Sequence, residues 1–410
     1  MRLLRQVGSI VLLMVLLAIL KIIIRRSEVN AEPFLYNLAS CTQVFLLGGI
    51  IFWLLLSITG KITRKRFVSF KASWLIYLIV ITILEISCAW LLRHADVVSG
   101  NMYRYLHQYY GIYDMKIAER SYACGRYDAA LTYTFKPSVS CRYTNIEFDD
   151  TIHTNKMGLR DDDASLIDPD VICLGDSYTM GWGVEQQESF AQVIEKRTGL
   201  KVLNAGISSY GTGREVSLLG RLDTSNLKYI VLQFYFNDEP ENRAYIKNNY
   251  RHPAMPQHRY DSMVRWHEWQ TLYFPFKYSL TTTRIAVRDI ALWLMNKNPA
   301  WSSATIPHNT SYVPKAARNF INILYRSGIN FQKTKVLAID MNRYPHFDHR
   351  FIEKVHEVLQ DTTYSPEFRK SIHPIDLQEL NDRRYFYKLD DHINRDGHQL
   401  VAEKLMEKMR

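Results

Sequence analysis

The sequence predicts an α/β protein: a three-layer α/β/α domain on a parallel sheet, preceded by three transmembrane helices and a small β-containing stalk. Three observations predict it. From about residue 166, short apolar runs alternate with helix-patterned segments, the pattern of a parallel sheet covered on both faces. Three long apolar runs fall within residues 1–95, each near the roughly 20 residues needed to cross a bilayer. Between them, residues 96–165 contain stretches in which apolar and polar residues alternate, as in a half-buried strand.

The first apolar run is Val7 to Ile24, interrupted by Lys21. The second is Leu38 to Ile58, and the third is Trp74 to Leu92, interrupted by Glu85. The first has the position of a signal peptide, but no small-residue cleavage site follows it and two further runs do. Three spans are therefore expected. The loop between the second and third carries Lys61, Arg64, Lys65, Arg66 and Lys71 with no acidic residue, so the positive-inside rule places it in the cytoplasm. Arg2 and Arg5 agree; Arg25 and Arg26 oppose this but are outnumbered. Everything after Arg93 is then expected outside, beyond the inner membrane in a bacterium. Glu85 is costly inside a membrane, and Lys21 is its expected structural partner.

The net charge of +10 arises partly from residues flanking the spans. The rest is scattered among acids without a basic stripe, which argues against nucleic acid as a partner. Of five cysteines, Cys41 and Cys88 lie in spans and Cys173 lies in an apolar run. Cys124 and Cys141 flank a polar segment on the expected outer side, where disulfides persist; the sequence leaves open whether they pair.

In the stalk, Leu131–Phe135 and Ile146–His153 read as strands, and Tyr113–Leu131 has room for a helix. Asn155–Asp161 is turn-rich, and Arg160 within it is expected to be structural. The core has strands at Val171–Leu174, Val202–Gly206, Tyr229–Asp238 and Lys335–Asp340, with an edge strand at Ile372–Leu377, where Pro374 is tolerated. Helices are expected at Ser189–Thr198, Thr212–Leu222, Phe351–Leu359 and Gly397–Lys408.

Four short blocks carry the chemistry. Gly175-Asp176-Ser177 follows the Val171 strand, which places a serine on a strand-to-helix turn. Asn204-Ala205-Gly206 ends the second strand, and Asn237-Asp238 ends the third. Asp390-Asp391-His392 lies near the C-terminus. A serine hydroxyl needs a base, and the base needs an orienting carboxylate, to act as a nucleophile at neutral pH. In order and residue type the blocks resemble those of the SGNH (GDSL-type) hydrolase superfamily, over roughly residues 166–410. The resemblance implies a flavodoxin-like sheet and assigns roles. Ser177 matches the nucleophile, His392 the general base and Asp390 its orienting carboxylate, with Asp391 a rival. The backbone N–H groups of Ser177 and Gly206 and the side-chain amide of Asn237 match an oxyanion hole. Tyr235 departs from the pattern, standing where the third block usually has glycine.

Residues 240–333 form an insertion containing Tyr245, Tyr250, Tyr260, Trp266, Trp269, Tyr273, Trp293 and Trp301. Such rings suit a glycan-binding lid, but filling an accessory core or touching the membrane is the plainer expectation. His346 and His349 share a helical spacing without a ligand set, His398 is expected to be structural, and Asn309-Thr310-Ser311 matches a glycosylation acceptor.

The expected function is a membrane-anchored extracytoplasmic serine esterase or O-acyltransferase. It would act through an acyl-enzyme on Ser177, on an acyl ester (acetyl foremost) of an envelope polysaccharide or lipid. No metal or organic cofactor is required. A transferase would need a membrane partner to deliver acyl groups. The alternative is a non-catalytic envelope assembly protein that binds glycan with the same fold.

Overall fold

The structure, a computed structural model, describes residues 2–26, 33–62, 69–94, 97, 106, 110, 117–253, 255–271, 273, 275–295, 312–342 and 350–409. It divides into two compact units: Met1–Asp114 with Asp261–Trp301, and Met115–Tyr260 with Ser302–Arg410.

The chain opens with three helices, α1 (Arg2–Arg26), α2 (Pro33–Ile62) and α3 (Phe70–Arg93). Ser69 caps α3 by accepting from the Ala72 N–H at 3.2 Å. Among the described residues two helices, not the expected three, hold a stretch long and apolar enough to cross a membrane: Leu38–Ile58 and Phe70–Arg93. In α1 the apolar stretch counted among the described residues is Gly8–Ile23. The expected Lys21–Glu85 pairing is also corrected. Lys21 Nζ donates to Gln43 Oε1 at 3.1 Å, and the Glu85 carboxyl is occupied by Tyr273, Tyr278 and Ser279.

Two hairpins follow: β1 (Gly125–Asp128) with β2 (Thr132–Phe135), and β3 (Ser140–Thr144) with β4 (Asp149–His153), both antiparallel. The helix allowed over Tyr113–Leu131 is replaced, among the described residues, by one 3-10 turn at Ala118–Arg120 and β1. Asp128 closes the first hairpin by accepting from the Ala130 and Leu131 N–H groups, a local side-chain bond that competes with helix. Cys124 and Cys141 are disulfide-bonded with a Cα–Cα distance of 6.0 Å, joining the two hairpins inside a buried cluster with Phe135, Ile152, Met180 and Trp182.

The sheet begins with β5 (Val171–Leu174), all four residues buried. The one-turn helix α4 (Ser177–Met180) follows, then α5 (Phe190–Thr198), capped by Ser189 and ended by left-handed Gly199. Next come β6 (Val202–Asn204), α6 (Thr212–Leu219), β7 (Tyr229–Phe234) and α7 (Asp238–Lys247). The insertion supplies α8 (Gln257–Thr271) and α9 (Lys277–Leu294), then α10 (Tyr312–Tyr325). The chain closes with β8 (Lys335–Asp340), α11 (Arg350–Val358), α12 (Pro366–Ser371), β9 (Ile372–Ile375) and α13 (Arg395–Met409). The five strands are all parallel, in the order β6-β5-β7-β8-β9. Strand order reverses at β5, and such switch points open a crevice at the carboxyl ends of the strands. Hydrophobic faces of α5 and α13 pack with β5, β7 and β8 in one core.

Loss of the disulfide should lower stability by about 3 kcal/mol in the loop-entropy model. A peptide map of non-reduced protein should contain one Cys124–Cys141 linked peptide. Recovery of both cysteines as alkylated thiols, from protein kept in an oxidising compartment, would refute the bond.

Candidate active site

The turn after β5 is built by short polar contacts. Asp176 caps α4, its Oδ1 accepting from the Tyr178 N–H at 3.0 Å. Gln233 on the adjacent β7 holds the same turn: its Oε1 accepts from the Asp176 N–H at 2.9 Å and from Thr179 Oγ1 at 3.1 Å. Gly181 ends the helix with φ 86°, a backbone region that side chains disfavour. A Cβ on Gly206 would lie 2.3 Å from the Met180 nitrogen, so the β6 loop approaches α4 as only glycine permits. Ser177 thus begins a helix of one turn, held from three sides.

The loop after Leu389 meets it. His392 Nε2 lies 2.6 Å from Ser177 Oγ. On the other side of the ring, Nδ1 is hydrogen-bonded to Asp390 Oδ1, which also accepts from the His392 N–H at 3.0 Å. Asp390 Oδ2 accepts from Trp182 Nε1 at 3.0 Å. Asp391 is placed differently. Its Oδ1 is 3.9 Å from His392 Nδ1 and its side chain is 34% exposed, whereas that of Asp390 is fully buried. Asp391 faces two tyrosines instead: its carbonyl accepts from Tyr178 Oη at 2.7 Å and its Oδ2 from Tyr235 Oη at 3.4 Å. Tyr235, in the place where glycine is usual, packs its ring 5.0 Å from Tyr178 and 4.5 Å from Phe236. Its ring thus lies beside Tyr178 and Phe236, where glycine would place none.

Electrostatics follow the geometry. Burial works against charge on His392, but Asp390, with smaller effects from Asp391 and Asp176, raises its pKa to about 9. Burial likewise opposes charge on Asp390, yet His392 and Trp182 hold it below the usual carboxylate value. Asp176 is pushed up to about 6 by burial, against the Tyr178 N–H, His392 and the amides of Gln233 and Asn237. Behind it, burial and repulsion from neighbouring acids, Asp176 foremost for Glu215 and Glu215 foremost for Asp238, hold both well above the carboxylate range.

The remaining expected residues are less simply placed. The Gly206 N–H donates to Asn204 Oδ1 at 3.0 Å, so it would serve a substrate oxygen only as a shared donor. Asn237 is exposed at the start of α7, in a turn braced by the Tyr235 N–H to Asp238 Oδ2 and the Phe236 N–H to Asn342 Oδ1. Asp390, Asp391 and His392 bring ligand atoms within 4.8 Å of one another, but both Asp390 oxygens already accept hydrogen bonds, which an ion would have to displace. His398 is buried, accepts from the Phe190 N–H through Nδ1 at 3.2 Å, and is pushed down to about 3 by burial; it is a neutral structural group. His346, His349, Trp301 and Asn309–Ser311 lie outside the described residues.

The sequence reading missed Glu147. It sits between β3 and β4 and reaches the loop that carries Asp390. Its Oε1 accepts from the Lys388 N–H at 2.6 Å, and its Oε2 from the Leu389 and Asp390 N–H groups at 2.9 and 2.7 Å. Next to it, Phe148 packs 5.3 Å from Tyr387 and 5.8 Å from Trp182. Nothing local marks Glu147, because in an alternating strand segment it reads as a surface residue. Its partners are 241 to 243 residues away.

No family model matches the sequence, and no curated protein matches it. Among solved structures, the chain is similar to a protein assigned to the lipolytic G-D-S-L family from Desulfitobacterium hafniense DCB-2, at 13% identity. The match covers 58% of this chain and 97% of that one, with a TM-score of 0.21. A likeness at that score carries no part of the argument, which rests on the residues above.

Glu147→Gln replaces one acceptor oxygen with a donor that opposes the loop N–H groups. Losing a charge-assisted hydrogen bond of this kind should slow ester hydrolysis about tenfold. Initial rates on a small acetyl ester, with circular dichroism as the folding check, measure it. Unchanged rates would remove Glu147 from the working site.

Proposed function

We propose that this chain is a membrane-anchored serine esterase or O-acyltransferase of SGNH type, working outside the cytoplasm on an acyl ester of an envelope glycan or lipid. The observation that carries the reading is the hydrogen-bonded file Ser177 Oγ, His392 Nε2, His392 Nδ1, Asp390. A serine, a buried imidazole and a buried carboxylate in line form the arrangement that activates a hydroxyl.

Ser177 Oγ attacks the acyl carbon while its proton passes to His392 Nε2. Negative charge develops on the carbonyl oxygen, and preorganised donors there lower the barrier; the Ser177 N–H, a shared Gly206 N–H and the Asn237 amide are the candidates. The tetrahedral species expels the alcohol, which takes the proton back from His392. Water, or an acceptor hydroxyl, then attacks the acyl-enzyme with His392 again taking its proton; the acyl group leaves as acid or as a new ester, and His392 returns the proton to Ser177 Oγ. Asp390 fixes the tautomer and stabilises the imidazolium. The apolar helices support the anchored location, and an acetyl ester of a polysaccharide is the favoured substrate. A transferase would draw its acyl group from a membrane partner.

A second reading is a glycan-binding assembly protein without turnover. The engaged Gly206 N–H favours it, since it leaves one donor fewer for a tetrahedral oxygen.

Labelling by a fluorophosphonate separates the two. It should modify Ser177, and Ser177→Ala should abolish both labelling and hydrolysis without changing the circular dichroism. His392→Ala should be nearly as damaging, because such residues act as a unit. Asn237→Ala should retain labelling but lose about 10²–10³ in turnover. Asp390→Asn should cost far more than Asp391→Asn. Full hydrolysis by Ser177→Ala would end the serine-esterase reading.

The general base must be neutral to act, and His392 is raised to about 9. The kcat/KM profile should therefore climb with pH through neutrality and level off near that value. In Asp390→Asn the limb should move to lower pH, because the partner that favours the imidazolium is gone. A profile already flat from pH 6 to 9 would contradict this.

Reporter fusions at Lys65 and at the C-terminus should report opposite sides of the membrane, the first cytoplasmic. Both on one side would overturn the extracytoplasmic location.

A further inference from the structure

The first unit contains a helix that hydropathy alone passes over. α9 begins after Pro275-Phe276 without a cap of its own. Phe276, at the cap position, has φ 63° and offers no side-chain hydrogen bond, so the first N–H groups of α9 need partners from elsewhere. They find them on α3. Glu85 Oε2 accepts from the Ser279 N–H at 2.7 Å, and Oε1 accepts from the Tyr278 N–H at 3.3 Å and from Tyr273 Oη at 3.0 Å. Glu85 is a cap delivered by a neighbouring helix, and an acidic group suits a helix N-terminus.

The depth of this contact matters. Glu85 precedes the end of α3 at Arg93 by eight residues, about 12 Å at 1.5 Å per residue. Around it the two helices run in the same direction. Phe276 and Leu280 pack with Tyr77 and Ile81, and Thr282 Oγ1 lies 3.6 Å from Cys88 Sγ. The hydroxyls of Thr282 and Thr283 bond back to the Tyr278 and Ser279 carbonyls at 2.8 Å, which satisfies them without water. Further along, Val287, Ile290 and Leu294 recur at helical spacing and are 57%, 57% and 70% exposed. Trp293 and Met295 beside them are exposed as well. Such a row on a helix in water would be an unusual apolar patch; Ile79, Ile83 and Ile86 of α3 are exposed too.

We propose that α9 is a re-entrant arm of the membrane anchor: it starts inside the apolar layer on the carboxyl group of Glu85 and rises to the interface with Val287, Ile290 and Leu294 against lipid. This rests on the membrane location proposed above and extends it to a segment inserted after the Asn237 block. α9 carries Lys277, Arg284, Arg288 and Asp289, more charge than a simple span allows. Arg288 falls in its second half, near the interface, where long basic side chains reach the headgroups and Trp293 suits the aromatic belt. Glu85 is then a structural cap, and no proton relay is needed to explain its place in an apolar helix.

The test uses the full chain with Cys41, Cys88 and Cys173 changed to serine and a single cysteine carrying an environment-sensitive fluorophore. The protein is reconstituted in phosphatidylcholine–phosphatidylglycerol vesicles with and without doxyl-labelled lipid. Label at Ile79→Cys reports whether α3 is in lipid, and label at Tyr122→Cys is the aqueous control. Labels at Val287→Cys and Ile290→Cys should be quenched by lipid carrying the doxyl group near the headgroup, and position 122 should not. Quenching at 79 but not at 287 or 290 overturns the arm while leaving the membrane reading intact. Disulfide cross-linking of Ile290→Cys into dimers without quenching overturns it too, by assigning the face to a second copy. No quenching at 79 sinks the membrane reading and the arm together. Glu85→Leu should abolish quenching at 290 while preserving it at 79, and Glu85→Gln, which keeps an acceptor oxygen, should retain it; equal quenching in all three proteins would refute the capping role.

Discussion

A fully buried guanidinium holds the candidate site in shape. Arg160 donates to the carbonyls of Met180, Gly181 and Val184, which close the turn after Ser177, and to the Thr151 carbonyl and Asp150 Oδ2 on β4. Burying a cation is costly. Burial depresses the Arg160 pKa and lifts Asp150 to about 7, so the pair does not by itself recover what burial takes away. Four carbonyls accept from the two terminal nitrogens of Arg160, which offsets part of that cost, while its Nε has no hydrogen-bond partner among the described residues. Arg160 therefore welds the β3–β4 hairpin to the nucleophile turn. The same hairpin carries Glu147, which grips the loop of Asp390 and His392. Two residues 215 apart in sequence are thus set at hydrogen-bonding distance by one hairpin.

The sheet supplies the other half of the geometry. Placing β5 between β6 and β7 brings three loops to one crevice at the carboxyl ends of the strands, and Gln233 ties the β7 strand to the β5 turn. The acids behind the serine show what this packing costs. Asp176, Glu215 and Asp238 are all buried, and with their pKa values raised they avoid a cluster of full negative charges. That leaves the Asp390 carboxylate as the charge bonded directly to the imidazole, while Trp182 satisfies its second oxygen.

The insertion after the third strand divides between the units. Tyr245 and Tyr260 are buried within the second and Tyr250 packs beneath the Arg326 guanidinium, so these rings build structure, as large aromatics commonly do. Tyr273 and Trp293 are exposed in the first unit. A single stretch of chain thus serves two environments, and an acidic residue that is awkward in an apolar helix becomes the cap that its neighbour lacks.

Strands and helices were legible locally, because a run such as Val171–Leu174 can only be buried and Ser189 and Gly199 mark helix ends by their own chemistry. The order of the blocks made Ser177, Asn237, Asp390 and His392 candidates before any contact was known. Local pattern also allowed a helix over Tyr113–Leu131, where Asp128 favours a turn. What sequence could not decide was partnership across hundreds of residues: that Lys21 meets Gln43 while Glu85 meets α9, that Asp390 rather than Asp391 bonds to the imidazole, that Asn204 engages the Gly206 N–H, and that Glu147 holds the loop of His392. Residue type and periodicity act over a few positions and set secondary structure. Burial, the direction of a carboxyl group and the filling of each N–H are properties of neighbours that only the folded chain brings together.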